Sequence, residues 1–403
     1  MRLLSFSLCL LFASFTFAQV PKFKVQEIAS DLTVGYAVLV VDINEDKKPD
    51  IVVVDSKRII WYENPTWKVH TILQGKVPPD NVSLTALDID GDSHLDLVLG
   101  ADWKPFNTKS GGTLHWLKRG QTLDEEWSLY PIGNEPTVHR VRNADIDGDG
   151  KPEILLAPLM GRDATAKGNW LDGRPVRLLA FPIPKDPIKG PWTPVVLSEE
   201  LHVMHNFIPI DRGSQKEILC ASYEGVSVVQ KSGELWKTTR LGEGNQSNPN
   251  SSRGSSEIKQ GTLKPRQSYI ATIEPWHGNQ VVVYTPPSQV GRLWERQVVD
   301  DHLRWGHAVW CADLDGDGEE ELIIGVRDNP AKTDKFTEKC GVRIYKGSEG
   351  GKKWERTIVE DGGVAVEDLT AADLDGDGKI DLIAVGRATK NARIYWNQGK
   401  SGK

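Results

Sequence analysis

The sequence predicts an all-β chain folded as a seven-bladed β-propeller, and three observations carry that prediction. An acidic loop recurs along the 403 residues at the spacing of four-stranded blades. Short apolar runs follow each loop in a fixed order, and most units end on a strand that opens at tryptophan. The strand missing from the last unit stands at the other end of the chain.

The clearest unit runs from Trp305 to Gly325, WGHAVWCADLDGDGEEELIIG. Asp313, Asp315 and Asp317 alternate around a glycine bend, and Glu321 follows. Alternate carboxylates with such a bend can wrap a hard cation, as calcium requires. Asp42, Asn44 and Asp46 with Asp50 form a second loop, and Asp88, Asp90 and Asp92 with Asp96 a third. Asp145, Asp147 and Asp149 with Glu153 repeat it, as do Asp373, Asp375 and Asp377 with Asp381. Bound calcium is expected to pin these turns as a structural ion. Two units are degenerate. Asp211 begins a similar turn in DRGSQKEILCAS, and Gly261 holds the same place in QGTLKPRQSYIATI.

Each loop leads into a β run such as IVVV, LDLVLG or ELIIG. A third strand follows (IIWYEN, LHWLK, VRLLAF, VSVVQ, VVVYTP, VRIYKG, ARIYWN). The fourth opens at Trp67, Trp127, Trp192, Trp236, Trp294 or Trp354. These tryptophans read as outer-strand packing. The seventh unit lacks a fourth strand, and Phe23-Lys-Val-Gln-Glu-Ile is placed to supply it. Closing the ring in this way removes exposed strand edges.

Glycine, proline and tryptophan are plentiful, as in a turn-rich β protein. The net charge of -7 argues against a nucleic-acid partner, which needs a basic footprint. Residues 1–18 read as an export signal: Arg2, an apolar run from Leu3 to Phe17, and small residues near Ala18. The propeller then occupies 19–403, in a periplasmic or secreted protein with no later run long enough to span a membrane. Cys220, Cys311 and Cys340 remain after Cys9 leaves, which is no disulfide framework.

Four histidines stand out. His139, His205 and His307 each lie six residues before the first position of a loop, at Asp145, Asp211 and Asp313. Equal offsets put them at one height on inner strands of blades three, four and six. The same count gives Tyr36, Val82, Ser255 and Glu367 in the other blades. Antiparallel neighbours reverse at each turn, so the strand starts lie on the face opposite the acidic loops. His277, in the loop EPWHGN of blade five, belongs to that same face. Three imidazoles around an open position suit zinc or a similar transition metal. His205, His277 and His307 come from consecutive blades and are assigned to the metal. His139 is left as a base, Tyr36 is a candidate proton donor, and these roles could be exchanged. Glu274 is expected to orient His277. Arg140, Glu274 and Trp276 are candidate substrate contacts, with Lys104, Arg162, Arg327 and Arg387 at or near the same face. The remaining histidines (His70, His94, His115, His202 and His302) share no such register.

The recurrent Asp loop before a strand resembles the FG-GAP/VCBS repeat propellers across nearly all of residues 19–403. GNEPTVHRVRNADIDGDG, EELHVMHNFIPI, IEPWHGNQVVVYTPP and HAVWCADLDGDGEEELIIG, in that order, resemble the propeller part of the aldos-2-ulose dehydratase family. That resemblance implies removal of water from a small carbohydrate, a keto-sugar such as 1,5-anhydro-D-fructose or an aldos-2-ulose. The cation would polarise the ketone, and a histidine would take the neighbouring proton. Two other classes remain open. A polysaccharide lyase would eliminate across a uronate in a long groove, and a non-catalytic propeller would only bind carbohydrate.

Overall fold

The computed structural model describes residues 20–213, 215–263, 267–328 and 337–400. Residues 1–18, expected to form the export signal, lie outside them. Every described element of regular structure is a strand, and the strands pair into seven four-stranded antiparallel sheets. No helix among the described residues is long and apolar enough to cross a membrane.

Strand β1 (Phe23–Ala29) precedes the first blade, which holds β2 (Gly35–Val41), β3 (Asp50–Asp55), β4 (Arg58–Glu63) and β5 (Lys68–Gln74). Blade two follows with β6 (Ser83–Leu87), β7 (Asp96–Ala101), β8 (Thr113–Lys118) and β9 (Ser128–Asn134). Blade three has β10 (Val138–Ala144), β11 (Glu153–Pro158), β12 (Val176–Phe181) and β13 (Val195–Leu201). Blade four has β14 (Asn206–Asp211), β15 (Lys216–Ser222), β16 (Gly225–Ser232) and β17 (Leu235–Gly242). Blade five has β18 (Ile258–Leu263), β19 (Gln267–Glu274), β20 (Gln280–Thr285) and β21 (Glu295–Asp300). Blade six has β22 (Gly306–Ala312), β23 (Glu321–Val326), β24 (Gly341–Ser348) and β25 (Lys353–Ile358). The last blade has β26 (Val366–Ala372), β27 (Asp381–Gly386) and β28 (Ala392–Asn397).

That last sheet is completed by β1, which pairs antiparallel with β28 from Phe23 opposite Asn397 to Glu27 opposite Arg393. The ring shuts between the first and last blades. The Val38 amide donates to Asp368 at 3.1 Å, and Asn64 Nδ2 donates to the Leu374 carbonyl at 2.7 Å.

Burial explains the sequence pattern. The second strands β3, β7, β11, β23 and β27 are buried at every position, because each is covered on both faces by neighbouring blades. They therefore read as continuous apolar runs rather than alternating ones. Each fully buried Val, Leu or Ile contributes roughly 1.5–3 kcal/mol against exposure. The outer strands β5, β21 and β25 are largely exposed, in keeping with their charged composition.

The five acidic loops share one bond. The carboxylate eight residues after the loop's start accepts the amide of its second residue. The pairs are Asp50 with Ile43, Asp96 with Ile89, Glu153 with Ile146, Glu321 with Leu314 and Asp381 with Leu374. Loop glycines such as Gly148 take positive φ, which a side chain would strain.

Candidate active site

The inner strands bring His139 and His307 to the second residue of β10 and β22, and His205 to the residue before β14. In β10 and β22 the register with the next strand shifts at that residue. The bulge lets its side chain leave the sheet plane toward the channel. His277 arrives from the turn after β19. Gly278 donates to the Trp276 carbonyl at 2.8 Å, and a Cβ on Gly278 would stand 2.1 Å from the Glu274 carbonyl oxygen. Only glycine fits that turn, which fixes the direction of the neighbouring imidazole.

The four rings meet. Ring centroids lie 4.6 Å apart for His139 and His205, 4.3 Å for His205 and His277, and 4.7 Å for His277 and His307. His205 and His277 approach Nε2 to Nε2 at 2.5 Å. His139, His205 and His307 are 4%, 1% and 3% exposed, so the cluster sits below the channel mouth rather than at it. Its walls are indoles: Trp103 stacks on His139 at 5.5 Å, Trp276 on His277 at 4.1 Å, and Trp305 lies 5.6 Å from His277. Both nitrogens of His139 and the indole nitrogens of Trp103, Trp276 and Trp305 are buried without a hydrogen-bond partner among the described residues.

Two histidines are held from behind. Nδ1 of His307 lies 2.5 Å from the Glu367 carbonyl oxygen. Nδ1 of His205 lies 2.7 Å from Glu257 Oε1, close but off the hydrogen-bond line. Glu257 also pairs with Arg140 Nη2 at 3.1 Å and accepts from Asn206. Burial raises its pKa, but the Arg140 charge, His205 and Asn206 outweigh that and hold it down to about 2. Burial, then neighbouring positive charge, holds His139, His277 and His307 well below the usual imidazole range. Burial also lowers His205, against the pull of Glu257.

The donor set fits a transition metal. Ligand nitrogens of His205, His277 and His307 lie within 4.8 Å of one another. Neutral imidazoles whose other nitrogen is held by a carboxylate or carbonyl are the form such ions take.

Several sequence expectations are revised here. Glu274 does not orient His277. Its carboxylate is taken by Arg296 at 2.7 Å, Tyr284 at 2.6 Å, and the hydroxyls of Ser255 and Thr272, both at 2.9 Å. It is fully buried inside blade five, so it is no substrate contact. Arg140 lies beneath the imidazoles on Glu257 rather than at the mouth. In blade five the position equivalent to His205 is Glu257, not Ser255. Leu263 pairs with Gln267 across the turn, as Asp211 pairs with Lys216 in blade four, so the turn begins two residues later than Gly261.

Tyr36 is buried, and burial, offset in part by Arg387, pushes its hydroxyl up to about 12. The ring meets Arg387 and the edge of Trp103. Arg327 and Arg387 both pair with Glu367, at 2.9 and 2.8 Å. Arg162 pairs with Glu135, and Lys104 with Asp102.

The acidic loops are partly met by lysine. Lys346 Nζ, from β24, lies 2.6 Å from Asp315, 3.0 Å from Asp317 and 2.8 Å from Glu321. Lys118, at the matching place in β8, contacts Asp90 and Asp92.

The fold and repeats define the class: this is a seven-bladed β-propeller carrying FG-GAP-like repeats, which match residues 42–99 and 313–384. Residues 111–287 match the family model described as aldos-2-ulose dehydratase, beta-propeller domain. That span holds His139, His205, Glu257 and His277. Aldos-2-ulose dehydratase of Phanerodontia chrysosporium is 26% identical over 240 residues, 54% of this chain and 26% of that protein. The chain thus matches about a quarter of that relative's length. Two crystal structures of BBS1N in complex with ARL6DN, soaked with mercury and with lead, share the fold alone. Both are 10% identical, with TM-scores of 0.54 and 0.56. They cover 94% and 95% of this chain and 96% and 98% of theirs.

Proposed function

We propose that the chain is a lyase that removes water from a keto-sugar such as 1,5-anhydro-D-fructose or an aldos-2-ulose. The observation that carries this reading is the unpartnered His139 imidazole, 4.6 Å between ring centroids from the His205 ring of a three-histidine set. His205, His277 and His307 would hold a zinc-like ion, which when bound supplies Lewis-acid polarisation of the substrate ketone. His139, kept neutral by burial, accepts the proton on the carbon beside the carbonyl. That C–H electron pair becomes the new double bond as the β-hydroxyl leaves. The imidazolium returns its proton to the departing oxygen, so the products are an enone and water. Burial keeps the Tyr36 hydroxyl up at about 12 and so protonated at neutral pH, and the proton return is given to His139, which already carries the proton it took. The unpartnered indole N–H groups of Trp103, Trp276 and Trp305 are donors suited to sugar hydroxyls. The acidic loops would hold structural calcium on the opposite face.

Turnover of 1,5-anhydro-D-fructose, followed by enone absorbance, tests this reading. Wild type should give a rise that a chelator and His139→Gln both abolish. No rise on any keto-sugar would sink it. One observation favours a polysaccharide lyase instead: Phe106 is 73% exposed and stacks on Trp170 at 5.7 Å, a platform for a further sugar ring. Ultraviolet-absorbing products from a uronate polymer, with none from small keto-sugars, would select that reading.

A further inference from the structure

Further along the inner strands from the imidazoles lies a cavity of about 210 Å³. Arg140, Arg142, Lys259, Trp310, Asp368 and Thr370 line it, together with aliphatic side chains such as Leu39 and Leu84. Its charges do not cancel. Arg140 is engaged with Glu257. Arg142 donates to the Val141 carbonyl at 3.0 Å and to Asn206 Oδ1 at 3.3 Å, and meets no carboxylate at ion-pair distance among the described residues. Lys259 Nζ lies 3.5 Å from the centroid of the Trp310 ring and likewise has no ion pair there. The one acid in the wall, Asp368, accepts the Val38 amide at 3.1 Å and the Leu369 amide at 3.0 Å instead.

We propose that this cavity binds a small organic carboxylate, clamped between Arg142 and Lys259. The chemistry of the walls selects the class. A guanidinium fork matches a carboxylate with two parallel bonds, and an ammonium adds a point charge. The indole and aliphatic wall takes a short carbon body, against which the further oxygens of a phosphate would be left unpaired. Burial, then the Arg140 charge, brings Arg142 down to about 10, and burial, then the Arg142 charge, brings Lys259 to about 8. Both remain charged at neutral pH. Burial raises Asp368 to about 6, so it stays mostly ionised at neutral pH and leaves one negative charge against Arg142 and Lys259. The site stands on its own residues and does not depend on the reaction proposed above.

The test is calorimetric titration of the purified chain at pH 7 and fixed ionic strength with sodium lactate, lactamide and inorganic phosphate. Lactate should bind saturably with one site and raise Tm with concentration. Lactamide, the same body without the charge, should do neither. Lys259→Met should weaken lactate about tenfold or more. Without lactate it should raise Tm, because a deep uncompensated charge is gone. Arg142→Met in the same titration serves if Lys259→Met does not fold. No saturable lactate binding, equal affinity in the variant, or phosphate bound in preference to lactate would each overturn the proposal.

Discussion

Nδ1 of His307 lies 2.5 Å from the main-chain oxygen of Glu367, which holds the same strand position one blade further on. The side chain of Glu367 joins Arg327 and Arg387, and its Oε1 stands 3.9 Å from His307 Nε2. Backbone and side chain of one residue therefore meet the two nitrogens of one imidazole. Glu367→Ala should keep the main-chain support of His307 and strip two arginines of their buried counter-charge. Breaking such a pair costs about 3–5 kcal/mol. Urea unfolding should show that loss, and an unfolding midpoint equal to wild type would contradict it.

Glu257→Gln separates the other support. The amide keeps the shape of Glu257 and loses the charge that faces His205 and Arg140. Removing such an outer carboxylate lowers metal affinity about 10–100-fold. Competition with a chromogenic chelator reads that change directly. Unchanged affinity would mean that Glu257 serves Arg140 alone.

The histidines were legible because the acidic loops are rulers. A fixed loop start in β10, β14 and β22 makes equal counts mean equal height. Blade five has no carboxylates at its turn, so the ruler slipped by two residues and Glu257 was passed over for Ser255. Counting back from Leu263, where the pairing across the turn begins, would have found it. Trp103 and Trp305 come from irregular segments, where no periodicity fixes the direction of a side chain. The Glu274 expectation failed because adjacency in sequence says nothing about the face of a strand: Glu274 points into the blade toward Arg296. Lys118 and Lys346 were visible as matching positions of LHWLK and VRIYK, but only pairing with β7 and β23 brings them to the loops.

Those lysines carry a prediction. In blade six the Lys346 ammonium stands among the carboxylates that a cation would take. Lys346→Met should lower Tm in chelator-treated protein and enlarge the rise in Tm on adding calcium. The wild-type loop of blade three has no lysine at the matching strand position, where Pro182 follows the Phe181 that pairs with Ile154, so Asp147→Asn should reduce the calcium response of the wild type. An identical calcium response in Lys346→Met would show that the ammonium and the ion do not compete.

The buried Lys259 sets a pH dependence on the alkaline side. Its folded pKa of about 8 lies below the ordinary lysine value, roughly 10.4. The unfolded chain therefore binds the proton more tightly. The cost of burying the charge is present in full below pH 8 and is lost as pH rises toward roughly 10.4. Wild type should gain stability relative to Lys259→Met across that window. A difference that stays flat from neutral pH upward would contradict it.

The central claim is that three consecutive blades bring His205, His277 and His307 together to hold one transition metal. Elemental analysis of the purified chain beside His307→Ala, prepared in the same buffer, tests it most directly. The wild type should carry about one zinc-like ion per chain. The variant should carry none, with equal calcium and an unchanged far-ultraviolet spectrum. Wild type holding calcium alone, or a variant that keeps the ion, would contradict the claim.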